Sequence, residues 1–441
     1  MLTRVLRIAL VVALSLEFQV AVKAQVSPSG EGPMLKPAPV SDRPYRTEVG
    51  LEERSNYLRG GVAAGGGYID NFYPGTSDTQ GRLGEGIISL QPTIALDTTS
   101  ARLHTVASYN PSFFFYEPSS DLNETDHNAS VNFQYRFSPR LTMDLSDLLV
   151  RSSTGYGQFG NGGISGSAQT TAPGVIAPFG ERFTNDATGG LSYQFSPHGM
   201  IGGTGNVSNL VYQKNSALPG LYNSDARGAG GFYSYRLSRS QYLGGMYEYG
   251  QVLAYPTGGQ QYDTQTHTIY GFYTIYLAQS WSISVSGGPQ DFIAAQAPYP
   301  TTRAWTPAVT ASTGWQGRHT SFAANFSRTV TGGGGLLGAF HSTSAGATGR
   351  WEFSRMWNAG LNVNYAINKN AAPLFGIDSQ GGHSFATSLT LERVLSRHSS
   401  ATFRYDRIEN RYAGIPSIAI NPNSDRVMLS INWQFRRPIG R

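Results

Sequence analysis

The chain has 441 residues, 53 glycines, 12% aromatic residues, only 14% charged residues and no cysteine. The absent thiol excludes disulfides, thiolate metal sites, a cysteine nucleophile and lipidation of an N-terminal cysteine. Charge falls well below the roughly 25% of an ordinary soluble domain, yet a mean hydropathy of −0.27 is too polar for a bundle of membrane helices.

Arg4 and Arg7 precede an apolar run from Ile8 to Leu16, and Val22-Lys23-Ala24 places small residues at −3 and −1. This layout predicts a signal peptide over 1–24, cleaved before Gln25. The apolar run is too short to cross a bilayer as a helix. Losing Arg4, Arg7, Lys23 and Glu17 takes the formal charge from +5 to +3, so the basic balance implies no nucleic-acid partner. From 25 to 56 the chain is polar, aperiodic and rich in proline (Pro28, Pro33, Pro37, Pro39, Pro44), which predicts a flexible segment ahead of the first ordered element.

A short phrase then recurs, an apolar residue followed by a polar turn. It starts at Leu96, Phe137, Phe195, Leu237, Leu277, Trp315, Phe353 and Leu395, and the last alternating run ends at Phe435. The steps are 41, 58, 42, 40, 38, 38, 42 and 40 residues. Both flanks of each turn alternate apolar with small or polar residues over about a dozen positions, the period of a strand with one apolar face. The unit is a long β-hairpin. A strand of about 12 residues rising about 3.3 Å each is about 40 Å long, and tilted it spans the hydrocarbon core of a bilayer. Only a closed sheet leaves no unpaired backbone in lipid. A β-propeller also repeats near 40 residues, but it needs a turn about every ten residues. Trp357 to Ile367 runs without one, and no Trp-Asp pair occurs.

Eight turns imply sixteen flanking strands, and one further strand at each end gives eighteen. Gly60-Gly61 and Gly65 to Gly67 dilute the alternation of the first, near Tyr57 to Ile69; without the added strands the count is sixteen. The predicted fold is all-β, a transmembrane antiparallel up-and-down barrel over 57–435 with a short tail at 436–441. In the last strand Val427, Leu429, Ile431, Trp433 and Phe435 fall on one face, and Arg426, Met428, Ser430, Asn432 and Gln434 on the other. The first set is assigned to lipid and the second to water. Aromatics beside the turns, among them Tyr135, Phe137, Trp281, Trp315, Trp351 and Trp433, are expected to form an interfacial girdle.

These features resemble the outer-membrane β-barrel proteins of double-membraned bacteria, porins in particular. The closing run VMLSINWQF is similar to the C-terminal strand that the family's assembly machinery reads, although this chain continues for six residues to Arg441. The resemblance implies residence in the cell outer membrane, with the bilayer and the barrel-assembly machinery as partners and both chain termini in the periplasm. Homo-oligomerisation is compatible with it. The surplus of the 58-residue step lies between Ser152 and Asp186. Porins fold their third loop inward, and by that analogy Glu181, Arg182 and Asp186 are candidates to line a constriction; a plain surface loop is the other reading. Charges assigned to the lumen are Arg102, Arg136, Arg236, Arg350, Arg404 and Arg426, against Asp144, Glu248, Glu352, Glu392 and Asp406. Six positive against five negative predicts no strong ion preference, and several could equally be ion pairs that hold strand register.

Catalytic signatures are missing. There is no Gly-x-Ser-x-Gly, His-Glu-x-x-His, P-loop or dinucleotide fingerprint, so no enzyme, cofactor or metal is expected. His127, His267, His341 and His383 sit near the long links. Asp121, Asn123, Glu124 and Asp126 offer oxygens to calcium but lack the spacing of a defined site. The reading is therefore a channel for passive diffusion of small hydrophilic solutes; the alternative is a non-transporting surface barrel acting in adhesion or envelope structure through its long loops.

Overall fold

A computed structural model describes residues 56–438 apart from 71–83, 119, 121–122, 155–178, 214–221, 257–260, 279, 297–299, 333–337, 372–380 and 414–422. The expected leader, proline-rich segment and extreme C-terminal tail, and the body of the long loop, lie outside the described residues.

Eighteen strands follow one another. They are β1 (Tyr57–Ile69), β2 (Glu85–Thr99), β3 (Leu103–Glu117), β4 (Glu124–Ser138), β5 (Leu141–Thr154) and β6 (Phe179–Gln194). Next come β7 (Gly199–Tyr212), β8 (Asn223–Ser238), β9 (Gln241–Tyr255), β10 (Tyr262–Ala278), β11 (Trp281–Gln296) and β12 (Thr302–Gln316). The chain closes with β13 (Thr320–Gly332), β14 (Ala339–Ser354), β15 (Trp357–Asn370), β16 (Gly381–Val394), β17 (Ser399–Ala413) and β18 (Asn423–Pro438). Each pairs antiparallel with its sequence neighbours, and β18 pairs with β1 from Tyr57↔Pro438 to Ile69↔Arg426. The sheet is a closed barrel with eighteen strands, as the eight turns and two end strands predict.

The recurring turn phrase has a local cause. The serine hydroxyls of Ser138, Ser196, Ser238, Ser354 and Ser396 each accept the backbone N–H two residues on, at 3.2–3.3 Å. A side chain that mimics a backbone acceptor closes the reversal without a long loop. Register shifts beside Ser138, Ser238 and Ser354 place the bulges at this short-turn end.

Closure explains the glycines that blur β1. A β-carbon on Gly61 would lie 2.6 Å from the Trp433 carbonyl oxygen, and one on Gly65 2.6 Å from that of Leu429. One on Gly67 would overlap the Val427 carbonyl. All three point inward, where the last strand leans across, so glycine is what allows the two ends of the sheet to approach and curve.

The two faces follow the alternation. Outward residues Ile88, Leu90, Ile94 and Leu96 on β2, Leu361 on β15 and Val427, Leu429, Ile431 and Trp433 on β18 all stay exposed. The other face converges: Ile69, Ile87, Phe114, Tyr116, Ala386, Ile408 and Met428 form one buried cluster drawn from six adjacent strands, which only a concave surface can bring together. The aromatic girdle takes its expected place at the short-turn end. Tyr135 meets Phe137 edge-on at 4.9 Å, Phe353 stacks with Trp357 at 6.1 Å, and Arg393 lies over Trp357 at 5.4 Å. Trp315 and Trp305 are both outward on β12 and ten positions apart. At about 3.3 Å per residue and about 40° tilt they are about 25 Å apart in height, the thickness of an outer-membrane barrel's apolar band.

Candidate functional site: the barrel lumen

The inward face is uneven. On β2, β4 and β5, Thr93, Asn132, Gln134, Arg136 and Asp144 are inward and exposed. On β7 to β11 the same face is packed down to the short turns, with Met200, Ser234, Tyr242, Thr274 and Ser284 all buried and Phe232 and Tyr276 against Met200 and Tyr242. Toward the long links it is packed on other strands too. Glu85, Asp126, Asn128, Gln290, Asn368, Asp406, Asn410 and Arg426 are all buried.

Of the eleven charges assigned to the lumen, ten lie on inward strand positions. Arg102 instead sits in the turn between β2 and β3, exposed, with its carbonyl accepting from the Arg136 N–H. Several are joined. Arg350 donates to Glu352 at 2.7 Å, and Asn358 donates to Glu392 at 3.5 Å. Asp406 takes Arg404 Nε at 2.8 Å on one oxygen and Arg426 Nη2 at 2.8 Å on the other. That triad links β17 to β18 across a ladder with Asp406↔Arg426 in register.

The three residues assigned to a constriction loop belong to β6. Arg182 and Asp186 face inward and pair across the ladder with Ser152 and Leu148, while Glu181 faces outward and binds the Arg151 guanidinium of β5. The strands climb farther than the apolar pattern does, because above the lipid their outward face is polar. The same happens elsewhere at this end. Outward Arg227 donates to Gln251, which donates to Asp263; outward Tyr109 and Tyr247 each meet a histidine, His127 and His267, at 2.8 Å.

Of the candidate calcium ligands, Asp121 lies outside the described residues, Asp126 is buried, and Asn123 and Glu124 are engaged with Tyr116. Asn123 Oδ1 accepts the Tyr116 N–H at 2.9 Å, and Glu124 accepts the Tyr116 hydroxyl at 2.5 Å. Among the described residues no three acidic or histidine side chains converge as a metal site.

One feature of the lumen has no forewarning in the alternation. β13 pairs with β12 only from Val309↔Arg328 to Gln316↔Ser321, and Thr302–Ala308 of β12 have no ladder partner on that side among the described residues. Beyond Arg328 both faces of β13 are buried, Thr329, Val330 and Thr331 being at most 4% exposed. Gln290 of β11 reaches it: its Nε2 donates to the Val330 carbonyl at 3.2 Å, and its Oε1 accepts the Val330 N–H at 2.7 Å. Strands two apart in one wall are about 10 Å apart, so β13 has left the wall here. Its last residue, Gly332, lies against Val252 of β9, where a β-carbon would overlap the valine side chain. Val330 and Ala339 join Phe292 and Ala294 in a buried apolar cluster, and His341 meets Phe292 edge-on at 6.1 Å. The end of β13 thus lies inside the barrel, with Ala339 at the start of β14 packed beside it while still bonded to Ala371 after β15.

A closed antiparallel barrel of eighteen strands with an apolar convex belt and an aromatic girdle has the architecture of a transmembrane β-barrel. No protein family matches the chain, and no curated protein matches it in sequence. Among solved structures it is similar to OccAB4 of Acinetobacter baumannii, at 8% identity over 90% of this chain and 100% of that one, TM-score 0.42. It is also similar to OccK2 (OpdF) of Pseudomonas aeruginosa, at 10% identity over 87% and 98%, TM-score 0.40. A third is the FrpB iron transporter of Neisseria meningitidis, at 10% identity over 86% and 82%, TM-score 0.42. Likenesses this distant transfer no residue role or ligand, and the architecture rests on the strand ladder itself.

Proposed function

We propose that the protein is an outer-membrane channel through which small hydrophilic solutes diffuse passively, without catalysis. The observation that carries this reading is the polar, exposed inward face of β4 and β5 toward the short turns. Asn132, Gln134, Arg136 and Asp144 stay exposed on the concave face of a closed wall, which a filled interior would not leave. Barrels of sixteen to eighteen strands are wide enough to hold an aqueous path. In this orientation the short turns face the periplasm and the long links face outward, as both termini on one side require for an even strand count.

The inward charges then act as a mixed lining. Arg136, Asp144, Arg236, Glu248, Arg350, Glu352, Glu392, Arg404, Asp406 and Arg426 are five positive and five negative, and the joined ones hold strand register more than they select ions. Swelling of liposomes carrying the purified protein tests the reading with neutral solutes of graded size. Swelling that falls steadily with solute size supports it; no swelling with the smallest polar solute, from protein verified as folded, would assign the barrel to a surface role through its links.

A further inference from the structure

We infer that the inward end of β13, Thr329–Gly332, forms the constriction of the channel, and that Gln290 is the residue that sets it. The inference rests on the diffusion reading above and names the element that limits solute size.

The argument begins at Pro307. Extending the β12–β13 ladder by its own register from Val309↔Arg328 would bring Val330 opposite Pro307. Proline has no N–H to give, and within sheets it is confined to edges and irregularities. Pro307 itself faces Pro289 across the other ladder, so this level of the wall is poor in donors on both sides. A buried Val330 with neither N–H nor C=O satisfied would be costly. Gln290 removes that cost. Its primary amide gives one donor and one acceptor to a single residue, the exchange that an opposing strand residue makes in an antiparallel ladder. It is 3% exposed and so has no competing water. The result is a strand end whose Val330 is bonded on the side β12 leaves, and only while it stands inside the barrel.

The unpaired edge this leaves on β12 lies around Trp305, at the upper margin of the apolar band, where water and headgroups can satisfy it. Only residues near Ala308 reach below that level. The arrangement is therefore stable in a membrane where an open edge at mid-depth would not be. Phe292, Ala294, Val330 and Ala339 are buried against one another, and this packing holds the strand end to the inner face of the wall.

The chain lacks cysteine, so an engineered pair is the only one present. Val252→Cys with Gly332→Cys should cross-link in the folded barrel under mild oxidation. Gln290→Ala should release the tip and raise single-channel conductance by about twofold or more, since the aqueous cross-section limits flow in a barrel of this size. Gln290→Glu, which accepts from Val330 but cannot donate, should fall between. When Gln290→Ala is combined with Val252→Cys and Gly332→Cys, oxidation should return conductance to the wild-type level and reduction should raise it again. Folding of each variant is verified by its heat-modifiable mobility on a gel. Failure of the 252–332 cross-link in folded protein would overturn the inference, as would a folded Gln290→Ala whose conductance equals that of a conducting wild type. A silent wild type with a conducting Gln290→Ala would defeat diffusion in the resting protein while supporting the tip as the obstruction. Silence in both would defeat the tip's role together with the channel.

Discussion

Gly60 of the first strand and Phe435 of the last face each other across the seam that closes the barrel, and the Phe435 ring covers the place where a β-carbon on Gly60 would stand. An aromatic lying over a glycine repairs the packing that the glycine gives up, and here it does so on the lipid face. On the inner face of the same seam the glycines are fixed for another reason: carbonyl oxygens of β18 occupy the space.

The two faces of β1 should therefore respond differently to added volume. Gly67→Val meets the backbone of Val427 and should prevent closure or cost about 1–3 kcal/mol, the range for overpacking a tight site. Gly66→Val, outward and with nothing nearer than the Ile87 carbonyl at 3.5 Å, should fold. Urea titration in lipid vesicles reads both; equal damage would mean that the seam is not built on close approach.

The alternation that made the strands legible should also predict tolerance to charge. Leu361 and Trp433 are about half exposed on the convex face. Arginine at either should destabilise the barrel by up to about 2–4 kcal/mol near mid-membrane and less near an interface. Asn362→Arg, one position away and inward, should cost much less. Folding titrations that found no difference between neighbours would contradict the assignment of faces.

How far the sequence reached is clear from these strands. Where the wall touches lipid, outward positions must be apolar, so the strand count, the short turns and the girdle were readable from Val427-to-Phe435-type runs. Above the lipid that constraint vanishes. Glu181, Arg182 and Asp186 consequently read as loop, although they sit on a paired strand. The inward tip was invisible for a different reason: Gln290 and Pro307 are ordinary residues in ordinary alternating runs, and only the register between β12 and β13 reveals what they do together.

The lumen triad offers a test of charge. Asp406 is 2% exposed and bound by two guanidinium groups. Asp406→Asn leaves both cations with a weaker partner, and losing a buried ionic partner costs about 3–5 kcal/mol. Folded protein should also shift its reversal potential toward anions in a salt gradient. An unchanged potential would place the triad off the ion path.

Sidedness follows from the turns. A tag inserted between Arg239 and Ser240, in the short turn joining β8 and β9, should be hidden on intact cells. A tag in the link between β15 and β16 should be accessible to antibody. Labelling in the reverse sense would invert the barrel in its membrane.

The most direct measurement of the central claim is ionic current through single copies of the purified, refolded protein in a planar bilayer. The account predicts discrete, ohmic current steps of one dominant size, with weak preference between cations and anions because the inward charges nearly balance. Protein that inserts with the mobility of the folded barrel and yet gives no steps would contradict it.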